Sequence, residues 1–497
     1  MKRRPPLLAR SAALAAAALA VACVGCSSDD AAPSAPAADA GTDGGPGFPV
    51  CPSDSWCPGV VLPSLPGQTE RGFLDLRGIV HAHSVYSHDA CDGEPLDEKG
   101  KPNEQCLGEL RTGLCRVRHE FLMLTDHRDS FAEHEFPEVL LYRAERGDEL
   151  VERDGTPVAN WAGCPDGPPA LIMTGCEAGT MPVALERHVS DDPAERDELY
   201  GAATAEAIEA LKAAGAVALV AHTEDWTAEQ LVGLPLDGFE MFNLHANLFH
   251  GMGAAVGLIA KMEQPELLPH PDLIIMPIIS EDPRYVDTWA QVLSRGARRT
   301  TVLATDCHRN SFPQKLPDGE RVDGFRRMMQ WFSNHLLVRP AKDGSWADRE
   351  LAEALRGGRL YGAFEFLGYP EGFDFHATGA DGVREMGEEV VLSGGPVTLE
   401  VALPHVRQLD AQAEPPELTL RILRATEQGW QEVSSDKADM KYTPSEPGAY
   451  RAEVRMVPRH LAAFLSSYAD LAAADFVWIY SNPIYVKAEP DRRGAGR

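Results

Sequence analysis

Five short stretches of the sequence carry histidines and carboxylates in combinations that bind divalent cations. The first is His81-Ala82-His83, with Asp89 close behind. In an extended segment residues i and i+2 point to one side, so both imidazoles can reach one ion from a strand end. The second is Thr125-Asp126-His127, where His127 would project from a strand end and Asp126 could orient a ligand from behind. The third is Gly175-Cys176-Glu177, with His188 further on. A carboxylate offers two oxygens and can bridge two cations, so Glu177 is the natural centre of a multinuclear site. His188, flanked by Glu186, Arg187 and Ser190, reads either as a ligand or as an exposed histidine. The fourth and fifth are Ala221-His222 and Thr305-Asp306-Cys307-His308. Each is weak alone, because paired surface histidines are common. Together they offer only nitrogen and oxygen donors, which suits Zn, Mn or Fe rather than a thiolate site. Two or three such ions would ionise a bridging water near neutral pH and polarise a phosphorus or carbonyl centre, which is hydrolytic chemistry. Arg309, beside His308, could grip a phosphate oxygen or serve as surface charge. His245 could touch substrate or pack.

What must position these residues is a set of strand ends. Short apolar, β-rich runs at 74–80, 121–125, 170–174, 217–221, 238–242, 273–279 and 301–305 alternate with helix-like stretches such as 193–214 and 324–334. That alternation is the pattern of an α/β fold with parallel strands. Each run is followed within a few residues by His, Asp, Glu or Asn, and parallel sheets bind ligands at the carboxyl ends of their strands. Seven such runs point to a β/α barrel over residues 72–370. Beyond it, 396–403, 417–424, 450–457 and 476–486 alternate apolar with polar residues between Pro, Gly and charged turns. Residues 371–490 are therefore expected to form a small C-terminal β-sandwich-like domain, with few histidines and no chemistry.

The ends of the chain and its charge place these elements in a cellular setting. A basic start and the short apolar run 12–21 read as a cleaved export signal, too short for a permanent membrane helix. Cys23 and Cys26 each follow small residues as in a bacterial lipobox, and Cys26 is favoured because polar Ser27-Ser28-Asp29-Asp30 begins there. Residues 1–26 are thus expected to be a lipoprotein signal and 27–71 a flexible tether rich in Ala, Pro, Gly and Asp. This reading makes the protein an exported, membrane-anchored bacterial lipoprotein facing the periplasm or the cell exterior. Eight further cysteines suit an oxidising compartment. Cys51 could close a loop with Cys57, and two of Cys91, Cys106 and Cys115 could pair. Cys176 and Cys307 could be bridged or free. The composition, 44% hydrophobic and 24% charged, is that of a globular protein. The formal net charge of −29 excludes specific nucleic-acid binding as an expected role, and losing the basic signal makes the chain more negative still.

The order H-x-H, D, T-D-H, G-x-E, A-H and D-x-H resembles the polymerase-and-histidinol-phosphatase (PHP) superfamily of metal-dependent phosphoesterases. The resemblance covers about residues 74–367. The stretch Gly372-Phe373-Asp374-Phe375 and the closing Trp478-Ile479-Tyr480-Ser481-Asn482-Pro483-Ile484-Tyr485 are similar to the tail of the carbaryl hydrolase-related group. The resemblance implies a distorted seven-stranded barrel, with His81, His83, Glu177 and Asp306 on one ion. It implies that Glu177 bridges to a second ion held by His188 and His222, and that Asp89, His127 and His308 bind a third. Glu177, His222, Asp306 and Arg309 are the expected catalytic residues. The chain departs from the family by inserting cysteine-rich sequence between the first two motifs. A small or polymeric phosphate mono- or diester is the leading expectation for the substrate. A carbamate or aryl ester is the alternative, and a non-catalytic binding protein on the same scaffold is a third reading.

Overall fold

The run at 74–80 forms the long strand β1 (Leu74–Ala82), and most of the architecture is arranged around it. The computed structural model describes residues 47–60 and 66–490; the signal, both lipobox cysteines and most of the tether lie outside them. Leu76, Ile79, Val80 and Ala82 are all buried, as expected of a strand covered on both faces. Five further strands follow from the apolar runs: β2 (Phe121–Met123), β3 (Ala170–Met173), β4 (Val217–Leu219), β5 (Gly238–Asn243) and β6 (Thr300–Cys307). Strands β5, β6, β1, β2 and β3 lie side by side in that order, all parallel. Strand β4 pairs antiparallel with Met181–Val183, and the amides of Asp237 and Glu240 donate to the carbonyls of Ala218 and Val220 beside it. The first half of β1 pairs antiparallel with β7 (Ser333–Val338), which continues into β8 (Leu360–Ala363). The result is an α/β fold on a mixed sheet.

Three expected elements take other forms. The run 273–279 is not a strand: a 3-10 turn at Pro271–Leu273 leads into further turns, while Leu273, Ile274, Ile275 and Met276 are buried. A short apolar run reports burial rather than backbone conformation, and here the prolines on either side favour turns. The alanine-rich stretch expected at 193–214 is two helices, Pro193–Gly201 and Ala205–Ala213. The Thr204 side chain accepts from the Ala207 amide and starts the second. The helix expected at 324–334 stops at Trp331, because the residues that follow belong to β7.

The C-terminal strands β9 (Glu417–Thr426), β10 (Gly448–Val457), β11 (Phe476–Ser481) and β12 (Ile484–Lys487) fall close to the alternating segments. Strand β8 pairs with β11, so the sheet passes without a break from the ligand-bearing strands into this region. A separate four-stranded sheet contains Asp374–Gly379 and Thr398–Ala402. The apolar core is also shared, joining Phe239, Leu303 and Met329 to Leu420, Val454 and Trp478. Asn482 holds the contact: its side-chain oxygen accepts from the Thr301 amide and its nitrogen donates to the Thr301 carbonyl, at 2.9 and 2.8 Å. It thereby fixes the start of β6, whose far end carries Asp306 and leads into His308. Disulfides join Cys51 to Cys57, Cys91 to Cys106 and Cys115 to Cys164, while Cys176 and Cys307 are free and buried. No helix among the described residues is long and apolar enough to cross a membrane.

Candidate metal centre

Local backbone distortions aim the side chains at one place. His81, His222 and Asp306 all have left-handed φ angles, of 75°, 51° and 52°. Such a conformation costs a residue other than glycine about 1–3 kcal/mol and persists where the surroundings over-determine it, commonly at functional sites. His81 and His83 therefore converge through a kink rather than through simple strand alternation. The pairing of β6 with β1 slips between Ala304 and Cys307, and that of β5 with β6 slips between Glu240 and Phe242. These irregularities redirect Asp306 and Glu240, as bulges beside active sites do. Glu177 sits on the short strand Cys176–Glu177, parallel to Asp126–His127. Gly175 is required before it, because a Cβ there would strike the Pro182 carbonyl oxygen.

Three groups of residues bring ligand atoms within 4.8 Å of one another: His81, His83, Glu177 and Asp306; His83, Asp89, His127 and His308; and His245, Asp306 and His308. In the first, the Nε2 atoms of His81 and His83 are only 3.1 Å apart. Asp306 Oδ1 lies 3.1 and 3.3 Å from them, and Glu177 Oε2 3.4 and 3.3 Å. The other Glu177 oxygen faces His222 Nε2 at 3.1 Å. Asp89 Oδ2 is 3.4 Å from both His127 Nε2 and His308 Nε2.

The remaining ring nitrogens show why these atoms fit a cation. His81 Nδ1 is bonded to Glu240 at 2.5 Å, His83 Nδ1 to Ser87 at 3.0 Å, His222 Nδ1 to Glu224 at 3.3 Å, and His308 Nδ1 to the Asp306 carbonyl at 3.0 Å. A neutral imidazole has one proton; committed to Nδ1, it leaves a bare lone pair on each Nε2. Asp306 Oδ1 and His308 Nε2 are buried and form no hydrogen bond. Buried acceptors without donors are costly, and a divalent ion at their focus satisfies them. Glu224 is fixed in turn by the Tyr285 hydroxyl.

The buried carboxylates and imidazoles also shift one another strongly. Burial opposes ionisation of Glu177 and Asp306, yet the surrounding imidazoles hold both carboxyls well below the usual range. Burial likewise opposes charging of His81, but Asp306, Glu240 and Glu177 push its pKa well up. Against its own burial, His127 is raised to about 9 by Asp89 and Glu177. Burial and the nearby His83 push His308 well down. The thiols are not candidates, since burial raises Cys307 to about 12 and Cys176 well above its ordinary value.

Compared with protein-family models, with curated proteins and with solved structures, the chain matches none. The reading of the site therefore rests on its own geometry. His81, His83, Asp89, His127, Glu177, His222, Asp306 and His308 come together. Two expected residues do not. His188 has both ring nitrogens occupied, Nδ1 by the Tyr200 hydroxyl at 2.9 Å and Nε2 by the His134 carbonyl at 2.8 Å, in an aromatic nest with Phe131 and Phe136. Tyr200 comes from the helix Pro193–Gly201, and Phe131, His134 and Phe136 from a segment far earlier in the chain. Arg309 turns away to Glu109 and Asp92, at 2.5 and 3.0 Å. Asp126 bonds the Ser84 amide and hydroxyl at 2.5 and 2.7 Å, pinning the turn that presents Ser87 and Asp89. The Cys91–Cys106 disulfide anchors that same loop, and the Cys91 amide donates to the His308 carbonyl. Sequence reasoning missed Glu240 and Glu224. A lone carboxylate inside the buried strand β5 was the signal for Glu240; nothing in the sequence marks Glu224.

Proposed function

We propose that the protein is a metal-dependent hydrolase of PHP type, acting as a phosphoesterase on a phosphate mono- or diester. The observation that carries this is the convergence of His81 Nε2, His83 Nε2, Glu177 Oε2 and Asp306 Oδ1, with Asp306 Oδ1 buried and without a hydrogen-bond donor. Two or three Zn, Mn or Fe ions bound there would supply charge stabilisation for the reacting oxygen and a nucleophile at neutral pH. The chain's own residues do the rest. Glu177 faces His81 and His83 with one oxygen and His222 with the other, Glu240 and Glu224 hold His81 and His222 in the tautomer that presents Nε2, and Ser87 does so for His83. The side chains of Asp89, His127, His222 and His245 are 36, 26, 33 and 22% exposed, so substrate enters from their side. Hydrogen bonds linking β4 to β5 support the barrel reading, because they extend the run of neighbouring strands beyond the five parallel ones. Three disulfides suit an oxidising compartment, and export with lipid anchoring is proposed on the N-terminal sequence alone.

The test is metal analysis of purified protein together with hydrolysis of p-nitrophenyl phosphate and bis-p-nitrophenyl phosphate. Bound Zn, Mn or Fe with phosphate-ester turnover is the expected result; full metal content with no cleavage of either would remove the phosphoesterase assignment. One observation favours the second reading, a carbamate or aryl ester hydrolase. Beside His245 and His308 lies a pocket walled by Leu244, Leu248, Leu258, Ile274 and Trp331, suited to an apolar substituent. Naphthyl acetate and naphthyl carbamate, assayed under the same metal conditions, separate the two.

A further inference from the structure

With both ring nitrogens of His188 taken by the Tyr200 hydroxyl and the His134 carbonyl, the centre lacks one of its expected ligands, and the geometry points to His245, beside Asp306 and His308, as the residue that completes it. This inference rests on the metal-centre reading above and concerns which side chains complete that centre for a divalent cation.

The starting point is His222. Its Nδ1 is held by Glu224, so the Nε2 lone pair faces inward, 3.1 Å from Glu177 Oε1 and 3.4 Å from Asp306 Oδ2. A lone pair set against two carboxylate oxygens needs a positive centre beside it. His245 Nδ1 lies 3.2 Å from the same Asp306 Oδ2. Its ligand atom lies within 4.8 Å of those of Asp306 and His308, and its ring stacks on His308 at 5.3 Å and 14°. Its position is not accidental. Asn243 ends β5 and caps the helix Leu244–His250 by accepting from the Ala246 amide, so His245 enters the site in the first turn. The Asn243 side chain also donates to Asp306 Oδ2 at 3.3 Å, so Asp306 already has a hydrogen-bond donor without His245. The arrangement assigns His245 to an ion shared with Asp306 and His308. Nitrogen and carboxylate donors of this kind suit Zn, Mn or Fe.

His188 is the internal contrast. Its Nε2 donates to a carbonyl and its Nδ1 accepts from a tyrosine, which leaves no lone pair for a cation.

The experiment is metal counting by plasma mass spectrometry on the full chain after loading with Mn or Zn and exhaustive dialysis. The wild type is compared with His245→Ala, His245→Asn and His188→Ala, each checked for folding by its melting curve. Loss of one metal equivalent in both His245 variants, with the wild-type count kept in His188→Ala, is the expected result. Co(II) absorption gives a second readout, and its d–d bands should change intensity in the His245 variants only. A full count in His245→Ala, or loss of an equivalent in His188→Ala, overturns the assignment while leaving the metal centre standing. A full count in His245→Asn alone also overturns it, since that amide can replace a hydrogen bond to Asp306 but makes a poor ligand. A wild type that retains no metal at all would remove both this inference and the proposed function.

Discussion

Strand β1 carries ionisable groups at both ends, and the two ends are balanced in opposite ways. Near its start, Arg77 forms a two-pronged pair with Glu365, at 2.7 and 3.0 Å, and donates to the Val117 carbonyl. His335 bridges Asp75 and Glu365 at 3.0 and 3.2 Å, and the Tyr361 hydroxyl donates to Asp75. There every acid meets donors from the protein itself. At the other end His81, His83, Glu177 and Asp306 present acceptor to acceptor, and Asp306 Oδ1 has no partner. Both clusters are buried and both shift pKa values strongly. Burial of charge therefore does not distinguish a structural network from a reactive centre; the balance of donors and acceptors does.

The largest expected effect tests the unbalanced end. Glu177→Gln keeps the shape of the side chain but removes its charge, and should lower phosphodiester turnover by about 10³-fold with loss of bound metal. Turnover within tenfold of wild type would refute the central role of Glu177. Arg77→Met addresses the balanced end. Leaving Glu365 buried without its guanidinium should cost about 3–5 kcal/mol in urea unfolding, while the metal count stays at the wild-type value. A changed count would mean that the two ends of β1 are coupled.

Chelation provides the reverse experiment. Stripping ions held at a hundred times their dissociation constant should cost about 3 kcal/mol of stability, seen as a lower melting temperature that returns when metal is restored. An unchanged melt would mean that the acceptor cluster tolerates its own repulsion.

The balanced end should also impose a pH dependence. Burial opposes charging of His335, but Asp75 and Glu365 raise its pKa to about 9. A group whose folded pKa lies above its unfolded value stabilises fully below the unfolded pKa. The contribution, roughly 3 kcal/mol, should thus be present below about pH 6.5 and lost as the pH rises through 9. His335→Gln should flatten that limb of a stability–pH curve; an identical curve would show that His335 is neutral in the fold. The smallest effect is expected at Arg309, whose guanidinium is engaged by Glu109 and Asp92. Arg309→Ala should change kcat/KM by less than about threefold, since such partly exposed pairs contribute little; a larger loss would restore it as a substrate contact.

Much of this was legible from local pattern. Strands β1 to β6 follow from apolar β-rich runs, and His81, His83, Glu177, His222 and Asp306 are marked by standing at their ends. The expectation failed where a signal had two physical meanings. The apolar run 273–279 is buried as turns because burial, not strand formation, is what apolar residues demand. His188 looked equivalent to the other histidines because the nest formed by Tyr200, Phe131 and the His134 carbonyl brings together residues distant in the chain. Glu224 and Glu240 escaped notice for the same reason: their role lies in which imidazole nitrogen they occupy.

The residue types by themselves determined that this chain can offer nitrogen and oxygen donors to hard or borderline cations, and that its strands deliver them from one edge of a sheet. Those properties are local, set by side-chain chemistry and by the periodicity of each segment. Only the tertiary structure decided which donors share a focus, because convergence depends on left-handed turns at His81, His222 and Asp306 and on register slips in β5 and β6. These are local distortions imposed by packing between segments far apart in sequence, and no single segment encodes them.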